Sequence, residues 1–107
     1  MKKQKLDLIF PGTILYEEFM EPLGITAYRL SKDIKVQQTA IGQIIKGQRK
    51  ITVDMAIRLS KYFENSPQFW LNLQNFYDLE LQAEKKESLF NAIIPYKKIQ
   101  ENESLYA

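Results

Sequence analysis

The chain contains neither cysteine nor histidine. It therefore cannot form a disulfide, build a zinc site of the usual kinds, or use a cysteine nucleophile or a histidine acid or base. These absences exclude most enzyme classes. We expect a protein that is not an enzyme and that binds no metal and no cofactor.

Long apolar segments are missing as well. No stretch approaches the roughly 18 apolar residues of a membrane-spanning helix, and the N-terminal residues lack the apolar run of a signal peptide. We therefore expect a cytoplasmic protein that makes no contact with a membrane. At 107 residues, the chain is long enough for one domain with a single modest core and too short for two.

Positive charge is concentrated in the middle of the chain. Between residues 26 and 50 there are six basic residues and one acidic residue, a local charge of +5 that leaves −3 for the rest of a chain with net charge +2. Clustered Lys and Arg side chains are typical of a surface that contacts phosphates. The six basic residues are Arg29, Lys32, Lys35, Lys46, Arg49 and Lys50.

The same region contains two short helical patterns separated by a tight turn. The first runs from Thr26, the candidate N-cap, to Ile34, and Lys35 and Val36 connect it to the second, which ends at Gly47. Two short helices joined in this way are typical of a helix-turn-helix, whose second helix lies in the major groove of DNA. On a helical wheel the second helix has an apolar side of Ala40, Ile41, Ile44 and Ile45 and a polar side of Gln38, Thr39, Gly42, Gln43 and Lys46.

The chemistry of the polar side suits DNA. Gln pairs with adenine edges, Thr can touch the thymine methyl group, and Lys reaches guanine or a phosphate. For this segment alone, an ordinary amphipathic surface helix is an equally good interpretation, but the charge around it favours DNA. We predict that Gln38, Thr39 and Gln43 read bases, and that phosphates are held by Gln37, Lys46, Arg49 and Lys50.

Three more helices are predicted around this pair. The first spans Thr13 to Met20, after a break at Phe10-Pro11-Gly12. Another begins at Thr52 and ends at Asn65, and Ser66-Pro67 opens the last one with an N-cap followed by proline at the first helical position.

The last of these helices has a broad apolar arc with four aromatic residues, which is more than a helix lining a small core needs. Part of the arc is therefore expected at an interface with another chain, although an arc that is entirely core is the alternative. We assign Trp70 to the core, and we predict a homodimer whose interface includes Phe76, Tyr77 and Leu81.

Beyond Leu81, the apolar pattern from Leu89 to Ile94 allows one more short helix or a continuation, halted by Pro95. We therefore expect an all-α fold of five or six helices. The predicted divisions are a flexible arm at residues 1–9, a helix-turn-helix domain with a C-terminal dimerisation helix at residues 10–94, and a flexible tail at residues 95–107.

One string, residues 66–74 (SPQFWLNLQ), is unusually specific, and Tyr77-Asp78-Leu79 follows it. This region resembles the HigA antitoxin family, also called virulence-associated protein I, of the phage-repressor-like (XRE) helix-turn-helix class. The resemblance covers residues 10 to 80 approximately. Its other strings are Phe10-Pro11-Gly12, Glu17-Glu18-Phe19, Glu21-Pro22-Leu23-Gly24-Ile25, Ile51-Thr52-Val53-Asp54-Met55-Ala56 and Arg58-Leu59.

The resemblance implies an antidote of a type II toxin–antitoxin system. Such a protein is a homodimer that binds palindromic operator DNA in its own promoter and neutralises a HigB-like toxin, an mRNA endonuclease similar to RelE. On that basis Glu17, Glu18 and Glu21 are the electrostatic match to a basic toxin, although simple solvated charge is an equally good interpretation. The alternative function is a stand-alone helix-turn-helix repressor without a toxin, which would use the same DNA contacts.

The sequence departs from the family's pattern on its DNA-binding side. Gln38 and Gln43 replace frequent Arg residues and Lys46 replaces a frequent Asn, so the operator sequence cannot be carried over. Lys35 replaces the usual Gly between the two helices, where a left-handed conformation would cost about 1 kcal/mol, and we expect a slightly different turn. Gly42 weakens its helix by about 1 kcal/mol. Either it lets the backbone approach DNA closely or it is merely tolerated.

Overall fold

The computed structural model describes the backbone of residues 9–106 and the side chains as far as residue 102. These residues form helices and no strand, which confirms the all-α class. The predicted arm lies outside the described residues except for Ile9. In chain order the helices are α1 (residues 11–23), α2 (Ala27–Ile34), α3 (Gln38–Ile45), α4 (Val53–Phe63), α5 (Pro67–Lys85), α6 (Glu87–Asn91) and α7 (Tyr96–Tyr106).

Helix α1 begins two residues earlier than predicted, because Pro11 starts the helix instead of breaking the chain. Proline suits the first helical position, where its fixed φ is already helical and no N–H is needed. The helix passes through a π-helical segment, Leu15–Met20, in which the Glu21 N–H bonds to the Tyr16 carbonyl, before its last turn, Glu21–Leu23. Its last helical residue is Leu23, beyond the predicted end at Met20, and Gly24 follows with φ 67°.

Gly12 allows α1 to cross α3 at very close range. It is buried, and an ideal Cβ built on it would overlap the carbonyl group of Ile44. The sequence interpretation of Gly12 as part of a chain break was therefore wrong. This glycine lies inside a helix, where its missing side chain lets two backbones approach.

The core lies between α1, α2, α3, α4 and the first turns of α5. Trp70 is completely buried, as predicted, and its ring packs 4.9 Å from Phe19 and 6.2 Å from Phe63 between centroids. The indole N–H donates to Asn65 Oδ1 at 2.9 Å, so its polar atom is satisfied. The other buried apolar residues are Leu15, Met20, Leu30, Ile34, Ile41, Ile44, Ile51, Met55, Ala56 and Leu59.

Three helices begin at side-chain caps, of which the sequence predicted Thr26 and Ser66 as caps and Thr52 as a helix start. Thr26 Oγ1 accepts from the Arg29 N–H at 3.1 Å, Thr52 Oγ1 from the Met55 N–H at 3.2 Å, and Ser66 Oγ from the Phe69 N–H at 3.1 Å. Each cap satisfies a donor that the first helical turn leaves unpaired. The caps fix where α2, α4 and α5 start.

The C-terminal part of the chain extends away from the core. Every residue from 81 to 102 is exposed in the single chain. The longest dimension of the described structure is 67 Å. The short helix α6 overlaps the first part of the apolar pattern from Leu89 to Ile94, which allowed one more short helix or a continuation. Helix α7 occupies the region for which we predicted a flexible tail; it starts directly after Pro95, whose carbonyl accepts from the N–H groups of Lys98 and Ile99 at 3.0 and 3.2 Å. The seventh helix was missed.

Candidate nucleic-acid interface

The turn between α2 and α3 keeps a left-handed residue even though that residue is not glycine. Lys35 has φ 62° and ψ 50°, and the Val36 N–H bonds back to the Ser31 carbonyl at 3.0 Å. The expected change in the turn is therefore not observed. The left-handed conformation costs about 1 kcal/mol for a residue with a Cβ, so the surrounding contacts must hold it.

Arg58 supplies such contacts, and sequence analysis missed this role. Its Nη1 donates to the carbonyls of Ile34 and Lys35 at 2.7 and 3.2 Å, while its Nε donates to Asp54 at 2.7 Å. A cation at the C-terminus of α2 satisfies carbonyls that lack a partner within the helix. The guanidinium thereby fastens the turn to α4.

A second link joins α2 to α4 through Asp33. Its Oδ2 accepts from the Tyr62 hydroxyl at 2.6 Å and from Arg29 Nε at 2.7 Å. The Tyr62 hydrogen bond, followed by that of Arg29, lowers the pKa of Asp33, and the same bond raises the pKa of Tyr62. The Tyr62 hydroxyl thus links α4 to α2, a role that the sequence did not indicate.

Helix α3 presents the polar side that the helical wheel predicted. Ile41 and Ile44 are buried, whereas Gln38, Thr39 and Lys46 are exposed and Gln43 is partly exposed. Gln37 is the N-cap residue and is exposed, without a side-chain capping bond. An ideal Cβ on Gly42 would meet nothing within 4 Å, so this side of the helix has open space.

The loop after α3 folds back onto the helix. Gly47 ends the helix with φ 76°, as predicted, and the Gln48 N–H donates to the Gln43 carbonyl at 2.8 Å. Arg49 Nε donates to Gln43 Oε1 at 2.8 Å. Lys50 points elsewhere, with its Nζ 3.2 Å from Asp78 Oδ2 on α5. Arg49 and Lys50 are the two loop residues predicted to hold phosphates. Of these two, Arg49 contacts Gln43, which is predicted to read a base, and Lys50 does not.

The loop after α3 is also hydrogen-bonded to a buried side chain of α5. The buried side chain of Gln74 accepts the Ile51 N–H at 2.9 Å and donates to Asp78 at 3.1 Å. Gln74 therefore connects the loop beside α3 to α5. A buried hydrogen-bonded amide of this kind fixes the position of the backbone that it contacts.

The residues predicted for dimerisation have different surroundings in the single chain. Phe76 is 61% exposed and Leu81 is 38% exposed, while Tyr77 is half-buried against Phe10, with ring centroids 5.5 Å apart. Leu79, which was not among the residues predicted for dimerisation, is 69% exposed.

Between residues 9 and 106, no group of three or more metal-ligating side chains could hold an ion, and no helix is long and apolar enough to span a membrane. The candidate functional site is the exposed polar side of α3 together with the loop that follows it. Two short helices, α2 and α3, are joined by a tight turn, and the second has an exposed polar side, which is the arrangement of a helix-turn-helix domain.

Comparison with known proteins agrees with this geometry. The helix-turn-helix family profile matches residues 17–70. Virulence-associated protein I of Dichelobacter nodosus is 43% identical over 93 residues, covering 87% of this chain and 85% of that protein. An uncharacterised HTH-type transcriptional regulator of Haemophilus influenzae is 39% identical over 83 residues, covering 75% of this chain and 78% of that protein.

A solved structure is similar over almost its whole length. The Pseudomonas aeruginosa antitoxin HigA with the higBA promoter superimposes with a TM-score of 0.80 at 38% identity, covering 83% of this chain and 98% of that chain. The chain therefore belongs to the HigA (virulence-associated protein I) family of helix-turn-helix proteins. The resemblance found in its sequence is confirmed.

Proposed function

We propose that this protein is a cytoplasmic, non-enzymatic antitoxin of a HigBA-type toxin–antitoxin system. In this role it binds operator DNA through α3, represses its own promoter and neutralises a RelE-like mRNA endonuclease. One observation carries the proposal: α3 turns a side without any acidic residue outward, and Arg58 and Gln74 hold its flanking turn and loop to the core. The promoter-bound HigA of similar structure supports it.

For the DNA contacts, we propose a division of roles along this surface. Side chains on the helix itself (Gln38, Thr39 and Gln43) read base edges, where amide and hydroxyl groups can discriminate between base pairs. Phosphates are held by the N-cap side chain and by the cations at the end of the helix and in the loop, which give affinity without sequence preference. These are Gln37, Lys46, Arg49 and Lys50.

For the assembly, we propose a homodimer on palindromic DNA. Two recognition helices about one DNA turn apart would read the two half-sites. The exposed Phe76 and Leu81 on α5 supply apolar contact area for the mate, with Tyr77 at the edge of the same surface. Leu79 extends that surface.

For the toxin, we propose a preformed acidic surface on α1. Glu17, Glu18 and Glu21 are all exposed on a helix that belongs to the folded core of the chain, so the surface exists without a partner. Acidic groups steer the approach of a basic ribonuclease and raise its association rate at low salt.

The experiment uses the protein encoded beside this gene, which should be a short basic chain of the size of RelE. The unmodified antitoxin is expected to abolish ribosome-dependent mRNA cleavage at stoichiometric amounts. Changing Glu17, Glu18 and Glu21 together to Gln should slow association at low salt and leave operator binding intact. A control that removes the same charge elsewhere combines Glu84→Gln, Glu87→Gln and Glu101→Gln.

If only the control triple slows association, the toxin surface lies in the C-terminal helices instead of α1. If cleavage is unaffected by the unmodified chain, or if no such reading frame adjoins the gene, the antitoxin role is wrong. The protein is then a stand-alone transcriptional repressor, the function favoured by its similarity to the regulator from Haemophilus influenzae.

A further inference from the structure

The hydrogen bond between Arg49 and Gln43 joins a loop cation to a side chain on the recognition helix. Arg49 Nε lies 2.8 Å from Gln43 Oε1, and the neighbouring Gln48 N–H holds the loop to the Gln43 carbonyl at 2.8 Å. We propose that Arg49 orients the Gln43 amide so that its N–H groups face the DNA, and that Gln43 therefore selects guanine over adenine. This inference rests on the proposed DNA-binding function.

An unrestrained glutamine prefers the opposite base. Its amide has an acceptor and a donor side by side, which pair with N6 and N7 of adenine. In this chain the acceptor, Oε1, already receives a bond from a guanidinium. The adenine amino group, which is itself a donor, would have to approach Oε1 next to that positive charge. The restraint therefore disfavours adenine.

Guanine fits the restrained pair. Its O6 and N7 are both acceptors in the major groove, and the Nε2 hydrogens of Gln43 are donors. Donation from a cation to Oε1 polarises the amide and strengthens those donors. The remaining guanidinium N–H groups of Arg49 stay available for a phosphate or for guanine O6. Gln43 and Arg49 together thus present mainly donors and positive charge, since the one acceptor, Oε1, is next to the guanidinium.

Lys50 provides a matched control for Arg49. Both are exposed cations in the same loop, and either substitution to Ala removes one positive charge next to the DNA. Only Arg49 contacts Gln43, however, because Lys50 Nζ is paired with Asp78 at 3.2 Å. The two variants therefore separate loss of charge from loss of the amide restraint.

The experiment selects a duplex from a randomised DNA library with the unmodified full-length protein. Affinities are then measured for the selected duplex and for its single-base-pair variants. Gln43→Ala identifies the position that Gln43 reads, because discrimination should disappear only there. At that position we expect guanine to be favoured over adenine by about fivefold to 150-fold, the range of a good bidentate contact.

Arg49→Ala should reduce this guanine preference to near unity or reverse it towards adenine, and should leave the preferences at other positions unchanged. Lys50→Ala should weaken all duplexes and retain every preference. The inference is overturned if Gln43 reads adenine in the unmodified protein, or if Arg49→Ala behaves like Lys50→Ala. Failure to enrich any duplex would instead contradict the proposed DNA-binding function.

Discussion

The crossing of α1 over α3 depends on a single missing side chain. Gly12 faces the backbone carbonyl of Ile44, which cannot move aside as a flexible side chain could. Gly42, on the open side of α3, has no neighbour within reach of a Cβ. The packing therefore requires glycine at position 12 but leaves room for a side chain at position 42.

We expect Gly12→Ala to lower the free energy of unfolding by about 3 kcal/mol or more, because the added methyl group must separate two packed helices. Gly42→Ala is the matched control and should raise it by up to about 1 kcal/mol, the difference in helix propensity. Urea unfolding followed by circular dichroism measures both. Equal stability of the Gly12→Ala variant and the unmodified protein would contradict the close crossing.

The role of a residue could be predicted from the sequence when its hydrogen-bond partner is close to it in the chain. Thr26, Thr52 and Ser66 bond to N–H groups three residues ahead, and cap chemistry of this kind is visible in a short string. Arg58 and Gln74 bond to backbone groups 23 or 24 residues away, so their roles appear only once the chain is folded. The same reason explains why Gly12 was misinterpreted.

At the scale of elements, the core helices could be predicted from the spacing of apolar residues. The π-helical segment of α1 and the helix α7 could not. The π-helical segment Leu15–Met20 shares the apolar pattern of an ordinary helix, and periodicity cannot separate the two. Helix α7 mixes charged residues with few apolar ones, a composition typical of a flexible chain end, yet the helix starts directly after Pro95. The assignment of Trp70 to the core was correct, and it followed from the large apolar area of that side chain.

The outward side of α5 leads to a prediction about assembly. Phe76→Glu and Leu81→Glu should each give a folded monomer that binds a half-site weakly, because a charge would have to be desolvated in the dimer interface. Val53→Glu is the control, since Val53 is 60% exposed on α4 and is outside the proposed interface. Sedimentation at micromolar concentration measures the assembly.

The unmodified protein and the Val53→Glu variant should both sediment as dimers. A monomeric unmodified protein at that concentration would show that the exposed apolar residues of α5 have another role. A dimeric Phe76→Glu variant would move the interface away from this part of the helix.

At the scale of the whole molecule, positive and negative charge are concentrated in different parts of the chain. Its basic residues are concentrated between residues 26 and 50, whereas Glu17, Glu18 and Glu21 lie exposed on α1. The apolar core from Leu15 to Trp70 is one cluster built from residues of this chain. In the proposed function, DNA binding and toxin binding therefore use preformed surfaces of one folded unit.

The central claim is that the exposed side of α3 reads DNA sequence, and comparing Gln38→Ala with Lys46→Ala tests it most directly. Both residues are exposed near opposite ends of the helix. The measurement is the affinity of each variant, over a range of salt concentrations, for the duplex selected by the unmodified protein and for random DNA.

Gln38→Ala should cost about 1–3 kcal/mol on the selected duplex and little on random DNA, because it removes a base contact. Lys46→Ala should weaken both and lower the slope of the salt dependence by about one, because it removes a phosphate contact. Equal losses on the selected and random duplexes for Gln38→Ala would contradict the claim.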